Sequence, residues 1–236
     1  MAFPVTEATA TSVEASATTS HTVSLPASIV SGDLLIVWFG VEHTSDSTVA
    51  WPGGWTEIDE TFSTDMEGAV AYRIADATEG ASITVTSGQS AESGHIAYRI
   101  SGGKGDAPAI ASFAHSNAAN ACNLPELTPG WGSAPDTLWL AARASATGNS
   151  LGDPPNTPTF TDIIESADWG TGGNNAVSEY EANVASIDPD HYSTSPSGYG
   201  VAWTLAVEPA TPPPLNLNRV SAMHFQRHYE PTAMGA

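Results

Sequence analysis

Leu34-Leu35-Ile36-Val37-Trp38-Phe39 is apolar at every position. A strand with one face in water alternates apolar and polar residues. An unbroken apolar run just after the turn Gly32-Asp33 therefore predicts a central strand with material packed on both faces. The same run is the longest apolar stretch of the chain and falls far short of a membrane span. Thr137-Leu138-Trp139-Leu140-Ala141-Ala142-Arg143 resembles it. Each stretch follows a turn carrying Asp (Gly32-Asp33, Pro135-Asp136), and each holds Trp near its middle.

No long segment repeats apolar residues at helical spacing. Short β-rich runs bounded by Gly, Pro, Asn, Asp and Ser recur instead, which predicts an all-β, antiparallel protein. The expected strands are 21–25, 33–41, 55–62, 68–75, 82–86, 95–101, 137–145, 160–166, 176–184 and 200–207. In Ser82-Ile83-Thr84-Val85-Thr86, Ile83 and Val85 share one face and the hydroxyls the other. Downstream of the two central runs the order of elements repeats. Gly54–Glu60 matches Thr159–Glu165, Gly68–Tyr72 matches Asn175–Tyr180, and Gly94–Ile100 matches Gly198–Leu205. Two small domains would explain this. A jelly-roll β-sandwich with two pseudo-symmetric Greek-key halves explains it better, because about four short strands are too few to bury a core alone. The expected layout is an N-terminal segment 1–20 (first strand or arm), a sandwich over 21–210, and a C-terminal arm over 211–236.

The chain has 236 residues, with 6 Lys+Arg against 26 Asp+Glu and a net charge of −20. Phosphate contacts need clustered Arg and Lys, so no nucleic-acid partner is expected. Docking on anionic lipid is disfavoured for the same reason, and no membrane insertion is expected. Hydrophobic residues make up 41% of the chain, which argues against wholesale disorder. Cys122 is the only cysteine, so no intrachain disulfide can form, and it reads as a small apolar side chain. Met1–Glu7 shows no basic stretch leading into an apolar one, so no signal peptide is expected. The charge is unevenly spread. Residues 1–210 carry 4 basic and 25 acidic side chains, a net of −21, whereas residues 211–236 carry 2 basic and 1 acidic, a net of +1. Pro212-Pro213-Pro214 cannot join a sheet ladder and favours an extended rod. Arg219, His224, Phe225, Arg227, His228 and Tyr229 follow it. This composition predicts a docking arm for an acidic surface, that of a neighbouring copy included.

Catalytic signatures are missing. There is no Gly-x-Ser-x-Gly elbow, no phosphate-binding loop with Lys-Ser/Thr and no His-Glu-x-x-His, so no enzyme and no cofactor are expected. His21, His43, His95 and His115 lack ligand-like spacing. Asp188 and Asp190, flanking Pro189, are the most ligand-like carboxylates. They read as a turn rather than a Ca²⁺ loop, since the further Asp/Asn and Gly positions of such a loop are lacking. Glu57, Asp59 and Glu60 read as a solvated strand face more than a glycosidase pair. Trp51-Pro52-Gly53-Gly54-Trp55 is the most distinctive local motif. Its tight turn would set two indoles beside each other, either as a flat platform for a sugar or as core aromatics. Trp131, Trp169 and Asn174 lie in Gly-rich stretches and extend the set of candidate glycan or receptor contacts.

The stretches Pro26–Val37 (with Gly32-Asp33-Leu34-Leu35), Trp51–Ile58 (with Gly53-Gly54-Trp55-Thr56) and Tyr72-Arg73-Ile74-Ala75 resemble small jelly-roll proteins of tailed-phage structural gene clusters. The resemblance covers residues 20–101 well and the second half loosely. It implies a virion-associated protein with no catalytic residues. Its expected partners are other copies of itself (a trimer first) and other virion proteins, with a host-surface glycan as a further candidate. A chain built in a host cytoplasm and displayed outside the cell fits an acidic, disulfide-free β fold.

Overall fold

The computed structural model describes residues 2–115, 123–131, 134–146, 153–169, 173–192 and 199–211. Among the described residues there are eleven strands: β1 (Val5–Ser24), β2 (Leu34–Val41), β3 (Val49–Ala50), β4 (Thr56–Ser63), β5 (Met66–Ile74), β6 (Ser82–Ser101), β7 (Ala109–His115), β8 (Thr137–Ser145), β9 (Thr161–Trp169), β10 (Gly173–Ala182) and β11 (Gly200–Val207). No helix occurs among the described residues, and every strand pair is antiparallel. The first sheet runs β1-β6-β2-β5-β4, with β3 also paired to β6, and the second runs β7-β11-β8-β10-β9.

The two sheets have the same order. β1 stands to β6 as β7 stands to β11, and β6-β2-β5-β4 corresponds to β11-β8-β10-β9. The register matches as well. Leu34 faces Ile100 and Trp38 faces Val70, just as Leu138 faces Val207 and Ala142 faces Val177. The repeat read from the sequence is therefore a real structural duplication, but the jelly-roll connection is not the one found. A jelly roll passes consecutive strands between its sheets, whereas here β1–β6 build one sheet and β7–β11 the other. Within each four-strand unit the spatial order is fourth, first, third, second, which differs from the Greek key's fourth, first, second, third. Hydrophobic patterning sets which faces are buried, and both connections bury the same faces.

The halves nonetheless share one core, as the burial argument required. Leu34, Ile36, Trp38, Val70, Ile96 and Tyr98 of the first sheet pack against Leu138, Leu140, Val177, Val201, Trp203 and Leu205 of the second. The alternate residues of β2, Val37, Phe39 and Val41, are buried on the opposite face. β2 is thus apolar on both sides because both sides are covered. β8 behaves likewise, with Trp139 and Ala141 in a separate outer cluster roofed by Leu124, Leu127, Ile187 and Tyr192. The tryptophans of β2 and β8 consequently face opposite ways. The true counterpart of Trp38 is Ala142, and the missing volume is supplied next door, where Trp203 stands in the place of Ile96.

The sheet edges meet reciprocally. β1 packs on β9, and its counterpart β7 packs on β4. Ser166 Oγ donates to the Ser12 carbonyl over 3.1 Å, and Thr61 Oγ1, in the position equivalent to Ser166, lies 3.2 Å from Ser112 Oγ. Such reciprocity is what an internal two-fold relation between the sheets produces. Glycines admit the largest side chains between the layers. Gly40 and Gly94 pair across β2 and β6, and Trp169 fills the space their absent side chains leave.

The strand expected at 21–25 is the end of a longer one. β1 starts at Val5, so most of the N-terminal segment is first strand. Likewise 82–86 and 95–101 are the two halves of β6. β1 and β6 form a long ribbon whose register slips between Glu14 and Ser20. There it bends, as bulged ribbons do. Its far end, with Val23, Leu25, Val85 and Ala91, covers Phe39, Val41, Ala69 and Ala97 on the outer face of the first sheet.

Candidate functional site

Trp51 follows β3 and Trp55 precedes β4, and the turn between them brings the indoles together. Gly54 adopts φ +88°, which side chains rarely tolerate, and Trp55 N–H donates to the Pro52 carbonyl at 3.3 Å. The rings stack with centroids 6.2 Å apart and planes 25° from parallel. Each is half-buried, and Trp51 also meets Phe39 edge-on at 6.3 Å. One side of the pair packs on the outer cluster of the first sheet, as core aromatics do, and the rest faces solvent.

A line of acidic groups runs inward from this pair. Trp51 Nε1 donates to Glu57 Oε2 at 2.8 Å. Glu57 is hydrogen-bonded to Glu60, and Glu60 to Glu67. Glu67 is fully buried and lies 2.7 Å from His43 Nδ1 and 2.9 Å from the Ser47 hydroxyl. Burial, the bond to Glu67 and the charge of Glu57 push Glu60 up to about 8, so it holds a proton at neutral pH. Burial would raise Glu67 too, but hydrogen bonds from His43, Glu60 and Ser47 hold it below the usual carboxylate range. Glu57 is raised by burial despite its bond to Trp51.

A β-bulge makes this line. On a regular strand Glu57 and Asp59 would share a face, with Glu60 opposite. The register instead slips between Glu57 and Asp59. Glu57 and Glu60 then both point outward, opposite Ala71 and Ala69, while Asp59 turns inward to Trp203 Nε1 at 2.7 Å. Reading three carboxylates as one solvated face is therefore corrected. The sequence also gave no sign that His43 pairs with Glu67 across 24 positions.

Among the described residues, Asp46, Glu60 and Glu67 bring three ligand oxygens within 4.8 Å of one another. Ca²⁺ takes six to eight oxygens, so this trio is at most part of a shell. Asp188 and Asp190 are exposed, and the Asp190 N–H donates to the Thr157 carbonyl at 2.9 Å, which ties this segment to the one before β9.

Two of the expected contact residues are corrected by burial. Trp169 is 0% exposed and wedged against Gly94, and Asn174 is 3% exposed, so neither can meet a ligand. Trp131 is half-buried against the outer cluster of the second sheet, away from the Trp51–Trp55 pair's cluster. Pro212, Pro213, Pro214, Arg219, His224, Phe225, Arg227, His228 and Tyr229 lie outside the described residues, as does Cys122.

The chain matches no protein-family model, no curated protein and no solved structure.

Proposed function

We propose that this chain is a non-enzymatic structural protein of a phage virion, displayed on the particle as capsid decoration or tail-tip component. The sandwich is the displayed body. Residues 211–236 are the arm that binds other virion proteins or a neighbouring copy, with a trimer as the assembly. The observation that carries this reading is the division of charge, −21 over residues 1–210 and +1 beyond. Acidic bodies repel one another, and a cationic, aromatic arm is attracted to them. The fold is consistent with that division. The Ala210 N–H donates to the Gly102 carbonyl at 2.7 Å, and Gly103 bridges Pro209, so the body is pinned up to the start of the prolines. The test is incorporation: the full chain should enter particles and a chain ending at Thr211 should not.

A second reading rests on the Trp51–Trp55 pair. Two stacked, partly exposed indoles, Trp51 held by Glu57, offer an apolar face beside a carboxylate. That combination suits the apolar face and hydroxyls of a sugar on a host cell.

A further inference from the structure

At the bend of the β1/β6 ribbon lies a buried file of polar side chains that the proposed function does not use. Ser12 Oγ is 2.9 Å from His95 Nδ1, and His95 Nε2 is 2.8 Å from Ser93 Oγ. Ser93 Oγ is 2.6 Å from His21 Nδ1, and His21 Nε2 is 2.8 Å from Ser87 Oγ. Both histidines are 0% exposed. The two ends fix the direction of every hydrogen. The Ser24 backbone N–H can only donate, and it donates to Ser12 Oγ at 3.0 Å. The Gln89 carbonyl can only accept, and it accepts from Ser87 Oγ at 2.7 Å. Between them a single arrangement uses each group once. Ser12 donates to His95 Nδ1, His95 Nε2–H to Ser93, Ser93 to His21 Nδ1, and His21 Nε2–H to Ser87.

With both imidazoles neutral the file closes with each protonated on Nε2. A proton added to His21 Nδ1 or His95 Nδ1 faces a hydroxyl that is already donating there, so that hydroxyl must turn its hydrogen away and a charged ring is left among neutral hydroxyls and Phe39. Phe39 walls both rings, stacked on His95 at 5.1 Å and edge-on to His21 at 5.1 Å. Glu14 on the same strand as His21 and His43 beyond β2 are the charged or titratable groups that act on His21, with opposite signs, and His21 itself acts on His95. Among the described residues, no carboxylate pairs with either ring to compensate an imidazolium.

We propose that this Ser–His–Ser–His–Ser file is an acid-released latch. At neutral pH it holds the far end of the β1/β6 ribbon on the outer face of the first sheet. On acidification it lets that end lift and bare Phe39, Val41 and Ala69. Desolvation agrees with the geometry: burial pushes His21 down to about 4 and His95 to about 3, from the ordinary 6.5. Linkage then shifts the closed–open balance toward open by up to about tenfold per pH unit below 6.5 for each histidine. Acid also neutralises carboxylates on a strongly acidic body and so relieves its self-repulsion. General charge effects therefore do not predict loosening confined to this ribbon.

Two measurements on the full wild-type chain test the latch together. Nitrogen NMR shifts report the protonation and tautomer of His21 and His95, and amide hydrogen exchange, corrected for intrinsic rate, reports opening. Between pH 7.5 and 4.5 we expect exchange in 20–24 and 82–87 to rise at least tenfold while β8 and β11 stay protected. Both imidazoles should be neutral Nε2–H at pH 7.5 and charge only as the ribbon opens. Three results would overturn the proposal: imidazolium formed while the ribbon stays protected, a ribbon closed throughout this range, or loss of protection in all strands at once.

Discussion

Trp203 on β11 donates its indole N–H to Asp59 on β4 across the sandwich, over 2.7 Å. The other carboxylate oxygen accepts from Ser112 on β7 at 2.9 Å, and Thr61 adds a third donor at 2.9 Å. One side chain, turned inward by a bulge, ties three strands of two sheets. Replacing it with alanine strands a largely buried indole N–H and a serine hydroxyl. Asp59→Ala should therefore lower unfolding free energy by about 1–3 kcal/mol in chemical denaturation. Asp59→Asn should cost less, since its amide oxygen can still accept from Trp203. Equal losses in the two variants would contradict this account, because Asn keeps both the shape and an acceptor for Trp203.

Gly94 is the tightest approach between the layers. A Cβ there would overlap the Cε3–Cζ3 edge of the Trp169 ring. Gly94→Ala should cost about 1–3 kcal/mol or more through overpacking. The loss should shrink when Trp169→Leu is made in the same chain, because the two side chains compete for one space. The double-mutant cycle measures this directly, and strictly additive losses would contradict the packing described.

Glu60 sets a stability trend opposite to that of the histidines. Its folded value is pushed up to about 8 from an ordinary 4.5. Between those values the folded chain holds a proton that the unfolded chain has lost, so stability falls as pH rises through the window. Glutamine carries no charge and can still donate to Glu67. The melting temperature of Glu60→Gln, relative to wild type, should thus rise from pH 5 to about pH 8 and level off above it. A difference that does not change with pH would mean Glu60 is not the proton carrier of the Glu57–Glu60–Glu67 line.

The Trp51–Trp55 pair gives the second reading a clean assay. If it is a sugar platform, a glycan array should show binding that Trp55→Ala abolishes while the melting curve stays cooperative. Absence of binding at high protein concentration would remove the sugar reading and leave the structural one untouched.

The sequence disclosed the fold class and the repeat because both are written in local patterns. Thr137–Ser145 and Gly200–Val207 are strands over the expected residues, and Leu34–Phe39 lies buried on both faces. Residues 5–20 were harder to place, since Thr, Ser and Ala on a sheet edge show little alternation. β7 was missed because it is short and rich in alanine. Which strands share a sheet was not legible, because the same buried faces serve either connection. The polar constellations were hidden for a different reason. Ser12, His21, Ser87, Ser93 and His95 are brought together by a ribbon bend, and Glu60 reaches Glu67 through a bulge. A period-two pattern foresees neither irregularity.

The central claim, that an acidic sandwich is displayed on a particle and held there by its basic arm, is tested most directly by quantitative mass spectrometry of purified virions. Particles assembled with the full chain should contain it in fixed ratio to the coat protein. Particles assembled with a chain ending at Thr211, shown to fold by its melting curve, should lack it. Virions devoid of the full-length chain, or equal incorporation of both forms, would contradict the claim.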